Sequence, residues 1–363
     1  MKNFKLILVI AVSAVSLSAL PRYAMLEEVS CSSCHSYQGG GGSRTAYGNE
    51  YARESMIMKD MRLPWEKDES DLPVYFGLDT RYQMIAQTDK DLRQFPMQFA
   101  LYAGMELGSI ISHVEVSRIS EEYRVTGGLR YEGLPFESWA FIGRELPVMG
   151  WRIDDHSVFT RGGNLTYVGL NREGMPYTPF IDPPTYGEIG SSPLPGLELS
   201  VMTGTPFIQP DASLDSKMFK AFKADYMYSG NAISVLAGLA ILDENQMTQA
   251  SVVHWGISSM GFVLLGELAQ MDGWPRDGSS NFASMHQLSY RLIQGLDVIS
   301  RYEFFDPDMD LQNGAINRMS LGLEIFPVRG VEVKLSYRRS QLDIPGTAED
   351  PQSQILSQIH IYL

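Results

Sequence analysis

The sequence predicts an all-β chain: a transmembrane antiparallel β-barrel of about 16 strands, with 14 as the alternative, behind a small N-terminal helical segment. Three observations carry this expectation. Apolar and polar residues alternate with a period of two over much of 71–363, between clusters of Gly, Pro, Asn and Asp. No stretch beyond the first residues is long and uncharged enough for a spanning helix, which needs roughly 20 apolar residues. The final run alternates Ile355, Ser357, Ile359, Ile361 and Leu363 with Gln358, His360 and Tyr362, as a closing barrel strand would.

Residues 1–19 read as a secretory signal peptide. Lys2 and Lys5 precede an apolar run from Leu6 to Val15, and small residues lead to cleavage after Ala19. A retained anchor is the alternative, disfavoured because the apolar run is too short to span a bilayer. The chain carries a net charge of −14 and no strongly basic segment, which excludes nucleic acid as a partner on field grounds.

Residues 20–70 form the predicted helical segment. Both cysteines of the chain lie in Cys31-Ser32-Ser33-Cys34-His35. Cys-x-x-Cys-His is the attachment pattern of a c-type haem: each thiol adds to a vinyl group and the histidine binds the iron. The pattern predicts one covalent haem c, with Cys31 and Cys34 as thioethers and His35 as proximal ligand. A small disulfide is the plain alternative in an exported chain. Zinc is disfavoured, because no second ligand pair of the usual spacing follows.

Gly39 to Gly42 read as a bend, and Thr45 to Met61 as a helix. At helical spacing Tyr47, Tyr51, Met58 and Met61 share one face, with Met56 opposite. Met58 and Met61 are candidate sixth ligands to the iron, Met56 a third, although a methionine stripe is more often packing. A five-coordinate iron, or His113 as ligand, stays open.

In the barrel segment, 71–363, Gly330 to Arg338 is the clearest strand. Val331, Val333, Leu335 and Tyr337 alternate with Glu332, Lys334, Ser336 and Arg338. Met319, Leu321, Leu323 and Ile325 alternate likewise before the turn at Phe326 to Gly330, and Leu296–Phe304 and Ile233–Ile241 follow the same rule. Charges on one face and Leu, Val, Ile and Tyr on the other suit a polar lumen inside a lipid-facing wall. The Pro-, Gly- and Asp-rich stretch from Glu145 to Gly196 is too long for an ordinary connection and predicts an outer loop or a lumen plug. Asp154, Asp155 and His156 form a candidate outer-face iron site, and Asp306, Asp308 and Asp310 a second carboxylate cluster; for both, a turn stabilised by Asp side chains is the plainer reading.

Pro21-Arg22-Tyr23-Ala24 followed by Val29-Ser30-Cys31-Ser32-Ser33-Cys34-His35 resembles the N-terminal region of fused outer-membrane cytochrome–porins. In residues the resemblance covers about 21–37; beyond that it is one of architecture. Gly143–Trp151 and Tyr302–Asp308 resemble segments of outer-membrane porins generally, whereas the glycine run at 39–42 has no match in iron-oxidising members. The resemblance implies haem at Cys31, Cys34 and His35 and location in the outer membrane. It implies electron passage between an extracellular donor or acceptor, such as iron, and a periplasmic electron carrier. Two alternatives compete: a passive porin whose haem is structural or a redox sensor, and a soluble secreted β protein with a lone disulfide.

Overall fold

The computed structural model describes residues 21–37, 43–59, 74–88, 90–119, 122–151, 157–163, 174–175, 181–208, 218–244, 248–274, 278–311, 314–343 and 350–362. The signal peptide, Gly39 to Gly42, Met61, Asp154, Asp155, His156 and Leu363 lie outside them.

The period-two segments become 16 antiparallel strands, each paired with its neighbours in sequence, and β1 (Val74–Gln87) pairs with β16 (Gln352–Tyr362) to close the barrel. The expected 16 strands are found, rather than 14. Closure satisfies every edge, which is the condition for crossing hydrocarbon with strands. Along β14 (Ala315–Val328) the two faces separate cleanly: Ile316 and Arg318 are buried toward the lumen, while Met319 and Leu321 are exposed on the outside. In β16, Gln354, Gln358, His360 and Tyr362 turn inward, and Ile355 and Ile359 outward. A polar interior with an apolar exterior inverts the pattern of a soluble protein and requires lipid around the wall. The soluble secreted reading fails on that inversion.

The two rims differ. At one, hairpins turn within a few residues, as at Met260-Gly261, where both residues adopt left-handed φ of 50° and 81°. That is the turn whose twist matches a hairpin. Both the start of β1 and the end of β16 lie at this rim. Phe76, Phe136, Tyr228 and Phe262 are exposed near it, as an interfacial girdle requires. The opposite rim carries the longer connections, among them 145–184 between β5 (Ser138–Arg144) and β6 (Thr185–Leu194).

The irregular stretch is therefore shorter than the sequence suggested. Thr185–Leu194 is strand, and only a two-residue turn separates it from β7 (Leu197–Gly204). Its Gly, Pro and Ser content hid the alternation. Residues 147–151 and 157–161 of the 145–184 connection are buried within the barrel. Val158 and Phe159 are fully buried, and Trp151 donates its indole N–H to the carbonyls of Trp255 and Gly266, both at 3.1 Å.

Three short helices occupy the short-turn rim: α1 (Pro21–Glu27), α2 (Cys31–Cys34) and α3 (Ala46–Glu54). Arg22 on α1 reaches Asp297 at 3.1 Å and also Glu324, and the Tyr23 hydroxyl donates to Asp297 at 2.6 Å. Met25 enters an apolar cluster with Trp151, Val158, Val263, Leu265 and Met285. Tyr51, Met56 and Ile57 pack with Phe326 and Tyr362. The helical segment is thus tied to the wall by ion pairs and by apolar burial.

Candidate functional site

The Cys-x-x-Cys-His stretch folds as one helical turn. The His35 amide donates to the Cys31 carbonyl at 3.1 Å, so positions 31 and 34 share a face of α2. Thr45 joins this turn to α3. Its hydroxyl donates to the Ser33 carbonyl at 2.6 Å and accepts from the Gly48 amide at 3.1 Å, which makes Thr45 the N-cap of α3. Gly48 faces the Cys34 carbonyl so closely that a Cβ there would overlap it. Absence of a side chain at 48 is what lets the two helices touch.

Both thiols are free and half-buried. Burial pushes the Cys31 thiol up to about 11, and burial also raises Cys34. His35 is buried and forms an isolated β-bridge with Arg44, whose guanidinium burial lowers below its ordinary value.

Behind α2 a cavity of about 610 Å³ opens between the helical segment, the in-folded loop and the wall. Its lining includes Met25, Cys31, Trp151, Lys223, Asp225 and His254, but neither Cys34 nor His35. Lys223 and Asp225 project from β8 (Phe219–Ser229) and pair at 2.7 Å; His254, on β10 (Thr248–Ser259), places Nε2 3.1 Å from the same carboxylate. Trp151 lies edge-on to the His254 ring, with centroids 5.2 Å apart.

The motif and cavity can be tested against a c-type haem. The donor set is two free thiols on one helical face with a histidine next in chain. The cavity beside Cys31 lies within the roughly 300–1,000 Å³ of cofactor sites. Its wall mixes apolar surface with a few convergent polar groups, which suits a large apolar disc with charged edges. Of the motif, Cys31 meets this cavity, whereas Cys34 and His35 do not line it.

The other sequence candidates are placed differently. The α3 helix ends at Glu54, so the helical period does not extend to the methionines. As a result Met56, expected on the far side, is the buried one at 4%, whereas Met58 is 40% exposed. Met58 sits at the rim, its amide donating to the Phe326 carbonyl at 2.9 Å and its side chain against Gly295. His113, on β3 (Ile110–Ile119), is buried against Tyr37 and bonded to Glu145 at 2.8 Å. At 306–310 the carboxylates of Asp306 and Asp308 accept from the amides two residues on, at 3.1 and 3.3 Å, as Asp-stabilised turns do. Among the described residues, no three His, Cys, Asp or Glu side chains are arranged to hold a metal ion.

Sequence reasoning missed Trp151, Lys223, Asp225 and His254 as neighbours of Cys31. The available signal was weak: Lys223 and Asp225 are two apart on a strand, hence on one face, in a chain where charges mark the lumen.

No protein-family model and no curated protein sequence matches this chain. Solved outer-membrane structures share its fold. An anion-selective porin from Comamonas acidovorans is 11% identical, over 80% of this chain and 100% of that one, with a TM-score of 0.52. OprB of Pseudomonas putida is 10% identical over 80% and 94%, at 0.61. The outer-membrane channel DcaP of Acinetobacter baumannii is 11% identical over 82% and 99%, at 0.52. These likenesses rest on the barrel and show a porin-type fold; the apolar exterior is what a wall set in an outer membrane presents.

Proposed function

We propose that this barrel carries one covalent haem c at Cys31 and Cys34, with His35 as proximal ligand. It passes electrons between an extracellular donor or acceptor, such as iron, and a periplasmic carrier. The observation that supports this reading best is the free Cys31 thiol of a Cys-x-x-Cys-His turn opening into a 610 Å³ cavity inside the barrel. In bacterial barrels short turns face the periplasm, which puts the helical segment at the periplasmic mouth. When bound, the haem supplies the one-electron chemistry; the chain orients it, shields it from water and sets its field.

The in-folded loop favours electron passage over solute passage. Glu267 and Glu303 on the wall are wholly buried under Arg161, Phe159 and Trp151, so this part of the lumen is a packed layer rather than a wetted surface. The porin-type fold favours the second reading, a passive channel with a structural or sensing haem. Purified protein in sealed liposomes separates them. Electron transfer from an external donor to an enclosed acceptor, without leak of a small solute, supports the first reading. Leak without transfer supports the second. A haem stain of outer-membrane fractions tests the cofactor itself, and its failure there sinks the redox reading.

A further inference from the structure

We propose that the lumen binds a small monovalent inorganic anion beside Gln358, at a site that does not rest on the haem reading. The site is a second pocket, of about 60 Å³, against the wall made by β13 (Leu296–Asp306), β14, β15 (Val331–Asp343) and β16. It shares no lining residue with the cavity beside Cys31. The space arises where small residues meet: Gly322 and Ser336 are partners across β14 and β15, in a row whose other lumen positions carry Arg318, Glu324, Lys334 and Arg338. A buried water needs roughly 10–15 Å³ on this measure, so the pocket holds more than one water and suits a halide-sized ion.

Two observations point to an anion. The first is an unanswered donor. Gln358 lines the pocket and is only 8% exposed, and its Nε2 is buried with no hydrogen-bond partner. An amide NH2 can only donate, so what it lacks is an acceptor. The Ser320 hydroxyl, also in the lining, is likewise buried and unpartnered. The second is charge. Arg301, Arg338 and Lys334 line the pocket with one carboxylate, Glu324, which is engaged by Arg22 and by Lys334 at 3.6 Å. Glu303, beside them, gives both oxygens to Arg318 at 2.9 and 2.7 Å. Arg301 directs two nitrogens to the Gln287 carbonyl oxygen at 3.0 and 2.8 Å, and Arg338 donates to the Ser157 hydroxyl. The pocket wall is thus positive in a chain whose net charge is −14. Water would answer the amide but not the charge; an anion answers both.

Bromide is the probe. Full-length protein purified from outer membranes is heated in sodium bromide or in sodium gluconate of equal ionic strength, gluconate being too large for the pocket. Heat-modifiable gel migration reports unfolding. The wild type should melt a few degrees higher in bromide, by a margin that grows with the logarithm of bromide concentration, as binding to the folded state requires. Crystals soaked in bromide should show an anomalous peak within hydrogen-bond reach of Gln358 Nε2. Gln358→Leu keeps every charge and removes the donor. It should abolish the bromide shift, yet in gluconate be at least as stable as the wild type, because a buried unsatisfied donor has gone. Arg338→Gln should shrink the shift. Equal wild-type midpoints in the two salts overturn the proposal. So does an anomalous map with no peak in this pocket, or a shift that Gln358→Leu retains in full. If Gln358→Leu fails to fold, Ser320→Ala replaces it, with a smaller bromide shift expected and an undiminished one overturning the site. None of these readouts depends on haem.

Discussion

Arg161 and Glu267 form a two-pronged ion pair, Nη1 to Oε1 at 2.7 Å and Nη2 to Oε2 at 2.8 Å, with both side chains buried. The arginine belongs to the in-folded loop and the glutamate to β11 (Phe262–Asp272), so this pair fastens the loop to the wall. Glu267 also accepts from the Trp151 amide at 2.6 Å, joining two parts of the loop at one carboxylate. Removing one member of a buried pair strands the other charge and costs about 3–5 kcal/mol. Glu267→Ala should therefore lower the unfolding midpoint, measured by heat-modifiable migration, and make liposomes containing the protein leak small solutes. Glu267→Ala with Arg161→Ala should recover part of the stability, since no unpaired charge remains, but should still leak. A tight, fully stable single variant would show that the pair does not hold the loop.

Arg22 plays a corresponding part at the short-turn rim. Burial alone would lower its guanidinium, but Glu324, Tyr23 and Asp297 outweigh burial and raise it well above its ordinary value. It stays charged at any working pH, so the latch does not open on mild acidification through Arg22. Arg22→Ala should free α1, seen as protease cleavage near residues 21–28 while the barrel still migrates as folded. Cleavage no faster than in the wild type would count against the latch.

Gly48→Ala tests the contact between α2 and α3. The added Cβ must displace the Cys34 carbonyl or the helix that carries Gly48. The expected result is lower haem incorporation per folded barrel, by haem stain against protein, with normal migration. Full incorporation would mean that the turn tolerates the shift.

The thiols make a pH prediction for haem-free protein. A free cysteine ionises near 8.5, whereas Cys31 is pushed up to about 11 by burial. At pH 8 it is almost wholly protonated, and only thiolate attacks an alkylating agent. Alkylation of Cys31 should be slower than that of a free thiol at pH 8 and should accelerate as pH rises toward 11. Because the folded chain holds this proton more tightly than the unfolded one, ionisation lowers stability between about 8.5 and 11. Rapid labelling at pH 8 would contradict the burial.

On the outside, Leu321 lies mid-strand on β14 and is 58% exposed. If lipid covers it, Leu321→Arg should destabilise the barrel by about 2–4 kcal/mol, read from denaturant titrations in lipid vesicles. A change within a few tenths of a kcal/mol would mean that this face meets water.

Much of the fold was legible because strand period is a local property. Val331 to Arg338 alternate in the sequence and alternate between lipid and lumen in the barrel, and pairing one hairpin after the next leaves only closure to be found. Legibility failed where local composition misled. Thr185–Leu194 contains Gly, Pro and Ser, and its pairing with β5 and β7 supplies what its side chains do not. Met56 and Met58 exchanged roles because α3 stops at Glu54, and beyond it Met56 packs in a cluster with Phe326 and Tyr362 from the far end of the chain.

The candidate site divides in the same way. Cys31, Cys34 and His35 are adjacent in sequence, so their chemistry is written in five consecutive residues and could be read without coordinates. The groups that face Cys31 across the cavity come from β8, β10 and the 145–184 loop, more than a hundred residues away. Closure of the barrel and the fold of the loop bring them there, and no local pattern encodes such a meeting. The sequence alone determined the wall, its inward and outward faces and the attachment motif. Only the tertiary structure decided that described parts of the 145–184 loop pack into the lumen, and that the space left beside the motif is lined by His254, Asp225 and Lys223.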